Sequence, residues 1–193
     1  MDKTIDNQYF KCYYVVIIIS IKLRGYIIMF KGKVVIVGAS NVGSAVLTKL
    51  LDFQLASEIA LIDLNENKCK GEALDANDAT SCIHSLNIRT YHGDYSDCKD
   101  ADLIIITAGP SIKPGEKADR LILSKTNCKI MSSVMSEITK YTKDALILMI
   151  TNPLDVATYH VSTQFDYPRE KIIGTGTMLE LSAYAESLLT VII

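Results

Sequence analysis

From Lys33 onward, short apolar runs alternate with longer stretches in which apolar positions recur every three or four residues. Lys33-Val-Val-Ile-Val37 predicts a strand that stops at Gly38. Val42 to Leu51 then predicts a helix, with Ser44, Thr48 and Lys49 on its wetter side. Ile59 to Asp63 reads as a second strand ending in an acid, Glu66 to Ala79 as a helix, and Ile88 to Tyr91 as a short third strand. Ala101 to Thr107 is a fourth strand that ends at Ala108-Gly109. Asp119 to Lys143 carries a long helical period whose buried stripe is Leu121, Leu123, Ile130, Met131, Val134 and Ile138. Ala145 to Ile150 is a fifth strand ending at Thr151-Asn152-Pro153; a helix follows from Asp155 to Thr163, and Lys171 to Gly174 is a sixth strand. Strands that alternate with helices pair as right-handed crossovers in a parallel sheet. The predicted fold class is α/β, a doubly wound, Rossmann-type parallel sheet of six strands.

Composition changes this picture mainly at the ends. The 193 residues suffice for one well-packed domain, and a net charge of -2 offers no basic field for nucleic acid. Five cysteines, Cys12, Cys69, Cys82, Cys98 and Cys128, form no C-x-x-C pair and no metal-ligand spacing; an odd, scattered set fits reduced thiols in the cytoplasm. Residues 1–28 differ from the rest: about 17 of them are Phe, Ile, Met, Asn, Lys or Tyr, with Ile and Tyr leading. Val15 to Ser20 is apolar and flanked by Lys11 and Lys22, but it is too short to span a bilayer and lacks a small-residue cleavage site. An upstream start assigned in error is the favoured reading, with Met29 the natural start; a disordered or strand-like tail and a membrane-targeting segment are the alternatives.

The chemistry gathers at the strand ends. Gly38-Ala-Ser-Asn-Val-Gly43 runs from a strand into a helix, leaving backbone N–H groups and the positive end of the helix dipole aimed at one spot, a place for a phosphate. The dinucleotide fingerprint G-x-G-x-x-G has Ser40 in its middle position here, so the motif alone is weak. Asp63 lies 20 residues after Gly43, the spacing of a carboxylate that accepts from an adenosine ribose. A carboxylate there repels a 2′-phosphate, which favours NAD over NADP; capping of the next helix is the plainer role. Thr107-Ala108-Gly109 offers small residues for a close backbone approach to a flat ligand, or is simply a tight turn. Between strand four and its helix, Ile112 to Arg120 is a charged Pro-Gly loop with the profile of a lid, and Arg120 at its base could meet a polarised carbonyl.

These motifs, in this order, resemble the L-lactate/malate dehydrogenase family, and within it the lactate dehydrogenase branch. The resemblance runs from about Lys31 to Glu180. It rests on Val-Gly-Ala-Ser-Asn-Val-Gly, Ile-Asp-Leu-Asn, Gly71-Glu-Ala-Leu-Asp75, Gly93-Asp-Tyr95, Ile-Thr-Ala-Gly109, Lys113-Pro-Gly-Glu116, Thr-Asn-Pro153-Leu-Asp155 and Ile173-Gly-Thr-Gly-Thr177. It implies NAD as cofactor, with the Gly38 turn (Ser40, Asn41, Val42 and Gly43) on the pyrophosphate and Asp63 on the ribose. Lys68, Tyr95, Thr107, Ala108, Gly109 with Pro110, and Thr175 match further NAD-contacting positions. Asn152 would bind substrate and the nicotinamide side, with a cis peptide before Pro153. Arg120 matches the lid arginine that polarises the substrate carbonyl, because Arg-Leu-x-Leu and then Asn127 follow as in the family. Glu180 matches the acid, usually an aspartate, that orients the catalytic histidine. The implied reaction passes a hydride between a 2-hydroxy acid, lactate, and its 2-keto acid, pyruvate. Intact members are homo-oligomers.

Three departures qualify that resemblance. The lid is two residues longer than in common lactate enzymes. Ile112 stands where lactate enzymes carry Gln and malate enzymes Arg, which disfavours a second carboxylate and leaves lactate or a bulkier apolar 2-hydroxy acid. After Glu180 the resemblance stops: Ala183 stands where an arginine would pair the substrate carboxylate, and none of His84, His92 and His160 has the Gly-Glu-His-Gly context of the catalytic histidine. Residues 29–180 thus read as the NAD-binding domain and residues 181–193 as an aberrant stub. With a suitable choice of codons, restoring one base after the Glu180 codon gives a family-like continuation with arginine at the place of Ala183. Sequencing the gene tests that expectation, and a genuine short helix over Leu179 to Leu189 is the alternative. The chain is expected to be inactive alone; a non-catalytic NAD-binding fragment is the rival reading. A short-chain dehydrogenase would need a Tyr-x-x-x-Lys pair after strand four, and it is set aside on the expectation that the chain has no such pair.

Overall fold

A computed structural model describes residues 32–81, 88–110 and 120–176, with the side chains of residues 120–122 excepted. Six parallel strands form one sheet: β1 Lys33–Val37, β2 Glu58–Ile62, β3 Arg89–His92, β4 Leu103–Ile106, β5 Leu146–Met149 and β6 Ile172–Gly174. Their order is β3-β2-β1-β4-β5-β6, with the reversal between β1 and β4. Among the described residues four helices accompany them: α1 Asn41–Asp52, α2 Glu66–Ser81, α3 Arg120–Ile138 and α4 Leu154–Gln164; short 3-10 turns span Tyr95–Asp100 and Arg169–Lys171. The doubly wound fold is borne out, and the element bounds shift by one or two residues, except at the end of α3.

Successive strand residues face opposite sides, so one run of apolar residues fills two cores. Val35, Val37, Ile104, Ile106, Ile147 and Met149 pack under α3 and α4, against Met131, Val134, Met135, Ile138, Ala157 and Val161. Val34, Ile36, Ile59, Leu61 and Ile105 face the other way, onto Val46, Leu47 and Leu50 of α1 and Cys69, Ala73 and Ala76 of α2. The stripe expected of α3 holds at Met131, Val134 and Ile138, with Ile130 packed at its margin, and it gains Met135. The Leu121 side chain lies outside the described residues.

Helix α3 ends at Ile138, not at Lys143. The last turn tightens there: Lys140 N–H donates to the Glu137 carbonyl and Tyr141 N–H to Ile138, while the Thr139 hydroxyl folds back onto Met135. Bonds of i to i−3 spacing close a helix end, and Lys140 to Asp144 then turn the chain into β5.

Candidate functional site

The carboxyl ends of β1, β2, β4, β5 and β6 bring most of the expected residues together. Gly38 leaves β1 with φ +108°, a left-handed conformation, and a Cβ there would sit 2.7 Å from the Ala108 nitrogen. Gly43, in the first turn of α1, packs so closely that a Cβ would overlap the Gly38 carbonyl oxygen. Both positions therefore require glycine, one for its backbone and one for the helix–strand approach. Ser40 is the N-cap of α1, yet its side chain makes no capping bond. The other capped starts differ: Asn65 Oδ1 accepts from Lys68 N–H at the head of α2, and Asp94 Oδ1 accepts from Ser96 N–H before the 3-10 turn. The head of α1 thus lacks a side-chain capping bond, as does the head of α4 at Pro153.

Asp63 fixes this turn. Its Oδ2 accepts from Ala39 N–H at 2.7 Å and its Oδ1 from Asn65 N–H at 2.9 Å, while Gly38 N–H donates to the Ile62 carbonyl at 2.7 Å. An ionised carboxylate has about four acceptor positions, so two remain for hydroxyl donors. Capping of α2 falls to Asn65, not to Asp63. An open depression of about 550 Å³ beside Asp63 is lined by Asp63, Leu64, Asn65, Glu66 and Asn67, with Leu64 fully exposed. Lys68 lies half-buried in the first turn of α2.

On the other side of the reversal, the buried Thr107 hydroxyl donates to the Gly38 carbonyl at 2.7 Å, so its contribution is the shape of the turn. Ala108 is half-buried, and Gly109 and Pro110 are exposed. The Thr151 hydroxyl donates to the Ala108 carbonyl at 2.8 Å and locks the end of β5 to that of β4. Asn152 is exposed just beyond, and the Asn152–Pro153 peptide is cis, as the resemblance implied. The Thr175 hydroxyl is turned back onto the Met149 carbonyl at 3.2 Å. Tyr95 packs against the core after β3, and burial holds its phenol above the ordinary value. Arg120 opens α3, although its side chain lies outside the described residues, as do Ile112 and Glu180.

The arrangement fits a dinucleotide on its own evidence: a glycine cradle, a helix start not capped by its own side chain, and a carboxylate at the end of the neighbouring strand. A family described as lactate/malate dehydrogenase, NAD binding domain, matches residues 32–174. The chain belongs to the lactate/malate dehydrogenase family. The domain of that family is NAD-binding by its description, so NAD is the cofactor of this domain. An L-lactate dehydrogenase of Selenomonas ruminantium is 70% identical over 148 residues, covering 77% of this chain and 46% of that relative. A solved minor L-lactate dehydrogenase of Enterococcus mundtii in ligands-bound form superposes with a TM-score of 0.70 at 36% identity, covering 77% of this chain and 46% of that one. The lactate dehydrogenase of Cryptosporidium parvum, solved with lactic acid and nicotinamide adenine dinucleotide, gives a TM-score of 0.66 at 30% identity, over 74% of this chain and 44% of that one. The chain spans about half the length of the relatives it matches.

Two other side-chain groupings lie away from this dehydrogenase-family site. Contrary to the expectation that the chain holds no such pair after strand four, Tyr167 and Lys171 carry the Tyr-x-x-x-Lys spacing of a short-chain dehydrogenase. The Tyr167 hydroxyl is buried and donates to the Ala145 carbonyl at 2.6 Å, and Lys171 reaches Asp144. Both partners sit at the amino-terminal end of β5, opposite the cradle. His160 is packed between α3 and α4, 2.8 Å from the Ser132 hydroxyl. That hydroxyl gives its proton to the Cys128 carbonyl, so the imidazole donates to it.

Sequence reasoning used Asn127 only as support for the motif around Arg120. In the structure Asn127 is buried, and its Nδ2 donates to the carbonyl oxygen of Asn152. Its signal in the sequence was a polar residue on the apolar side of a helix, which alone does not name a partner.

Proposed function

We propose that this chain is the NAD-binding half of an L-lactate dehydrogenase type of oxidoreductase. The single observation that carries the reading is the Asp63 carboxylate, held by Ala39 and Asn65 at the edge of the Gly38 turn. The start of α1, with Asn41, Val42 and Gly43, receives the pyrophosphate through backbone N–H groups and the helix dipole. Asp63 accepts from the adenosine ribose and rejects a 2′-phosphate by charge. The exposed Leu64 offers apolar surface to a flat base. With the adenosine half on the β2 side, the other half falls to the ends of β4 and β5, where Gly109, Pro110, Asn152 and Thr175 lie.

NAD supplies the hydride acceptor and donor when bound. In a complete enzyme Arg120 stabilises charge on the carbonyl oxygen of a 2-keto acid, Asn152 orients the substrate, and Glu180 orients a histidine that moves the hydroxyl proton. The 193 residues supply no histidine in that setting. His160 is committed to Ser132, and His92 lies on β3 at the sheet edge.

Titration of the purified chain with NADH, followed by nucleotide fluorescence, tests the proposal together with pyruvate-dependent NADH oxidation. Saturable NADH binding, with weaker NADPH binding and turnover near background, is the expected result. Absence of NADH binding by a folded chain would overturn it. Clear turnover would overturn the assignment of these residues to a half-site alone.

A further inference from the structure

The strand-end site holds one buried polar group that binding of a dinucleotide does not by itself explain. Asn127 is 4% exposed and lies seven residues, two helical turns, after Arg120 on α3. Its Nδ2 donates to the Asn152 carbonyl oxygen, and that bond fixes which way the amide faces. The other end, Oδ1, is buried and has no hydrogen-bond partner among the described residues. A Cβ at Gly109 would stand 3.5 Å from Thr151 Cγ2 and 3.7 Å from this Oδ1, so the end of β4 lies directly against the amide.

An unpaired buried oxygen is costly, and a leucine would fill the same space without that cost. A group that lowers stability and persists beside a candidate site is more simply explained by what its other end does. Here the other end ties α3 to the turn after β5. Thr151 already ties that turn back to β4 through the Ala108 carbonyl. Asn127 adds the tie forward, to the helix that begins at Arg120.

We infer that Asn127 is a positioning residue that holds α3 in register with the Asn152 turn, so that the helix start carrying Arg120 and the strand end carrying Asn152 act as one unit. It touches no reacting atom. The inference rests on the reading that the β4–β5 side takes the nicotinamide half of NAD, and it makes the amide of Asn127 a determinant of that half alone.

Two variants of the full chain, Asn127→Ala and Asn127→Leu, test it by two readouts. The first needs no ligand: hydrogen exchange of backbone amides over residues 150–155, compared with residues 36–39 at the Gly38 turn. Faster exchange confined to residues 150–155 is expected in both variants. The second compares NADH with ADP, which carries the adenosine and pyrophosphate but no nicotinamide. NADH is expected to bind about tenfold more weakly and ADP as in the parent, the scale of one lost buried hydrogen bond. Asn127→Leu keeps the volume and removes the unpaired oxygen, so it stays folded and decides the matter if Asn127→Ala does not fold. Unchanged exchange over residues 150–155, or NADH and ADP weakened by the same factor, would overturn the inference and leave Asn127 a packing residue. If the parent chain binds neither nucleotide, the NAD reading fails and the exchange comparison alone decides the tie.

Discussion

Asp63 shows how one side chain serves fold and site together. Its two oxygens close the turn through Ala39 and Asn65, so removing it disturbs the cradle as well as the proposed ribose contact. Asp63→Ala should lower stability by about 1 kcal/mol, the scale of one part-buried hydrogen bond lost at Ala39 and an exposed one at Asn65. Asp63→Asn keeps one acceptor oxygen and should cost less stability, yet it should narrow the preference for NADH over NADPH, since the repelling charge is gone. Parallel titrations with the two nucleotides check this, and an unchanged preference would remove Asp63 from the ribose. Gly43→Ala should destabilise by about 1–3 kcal/mol as the methyl group meets the Gly38 carbonyl, measurable by thermal unfolding. Gly38, Gly43 and Asp63 were legible in the sequence because their roles depend on short-range spacing along one strand–turn–helix unit. Thr107 was legible only as a small residue at a strand end; that its hydroxyl goes to Gly38, 69 residues away in sequence, is a fact of the sheet order. Asn127 has the same difficulty, with a partner 25 residues off.

At the scale of elements, α2 and β3 make a pair whose logic is invisible in hydrophobic pattern. β3 is an edge strand, and one side of its backbone pairs with β2. Arg89 and Gly93 donate their N–H groups to Ser57 and Leu61, so the alternate residue Thr90 points its backbone groups outward. Asn77 of α2 meets both: its Nδ2 donates to the Thr90 carbonyl at 2.8 Å and its Oδ1 accepts from Thr90 N–H at 3.1 Å. One amide thus stands in for the missing neighbouring strand and covers an edge that would otherwise pair with another chain. Asn77→Ala should cost about 1–3 kcal/mol and raise self-association at high concentration, read by chemical denaturation and light scattering. A variant as stable and as monomeric as its parent would show that the amide protects nothing. The sequence predicted α2 as a helix from its residue types, but α2 has little amphipathic contrast, and the polar clamp adds to the short buried stripe of Cys69, Ala73 and Ala76 in attaching it to the sheet. The end of α3 was misjudged for a related reason: Thr139, Lys140 and Tyr141 continue the helical pattern, and only the backbone bonds to Met135, Glu137 and Ile138 show it closing.

For the molecule as a whole, alternation of strand and helix was enough to give a parallel sheet, but not the order β3-β2-β1-β4-β5-β6, which arises from crossovers running both ways from β1. That order separates the two ends of the sheet by function. The proposed nucleotide site is at the carboxyl ends, and a charged network sits at the opposite end. There Lys33 Nζ lies 2.8 Å from Asp97 and 3.0 Å from Asp100, the Tyr91 hydroxyl donates to Asp97 at 2.8 Å, and Lys33 N–H donates to Asp102 at 3.0 Å. Burial opposes the charge on Lys33, but bonds to Asp97, Asp100 and Tyr91 outweigh it and raise its pKa. Burial likewise opposes the charge on Asp97, and its bonds to Lys33, Tyr91 and Asp94 N–H prevail and lower its pKa. Burial, then the bond to Asp97, raises the Tyr91 phenol to about 12. The signs follow. Asp97 contributes stability above the ordinary carboxylate value of about 4, and this is lost as pH falls through its lowered folded value. Lys33 and Tyr91 hold their protons more tightly in the fold, so their contribution is complete below about pH 10 and is lost as pH rises beyond it. Thermal unfolding from about pH 3 to about pH 11 should therefore show a plateau with losses on both sides. Lys33→Met should lower the plateau by about 1–3 kcal/mol and move the acid loss to higher pH, because Asp97 then lacks its cation. Since the network lies at the end away from Gly38 and Asp63, the same variant should bind NADH as its parent does. A uniform drop in stability with no shift of the acid limb would mean that Lys33 acts through packing alone. Weakened NADH binding would mean that the two ends of the sheet are coupled.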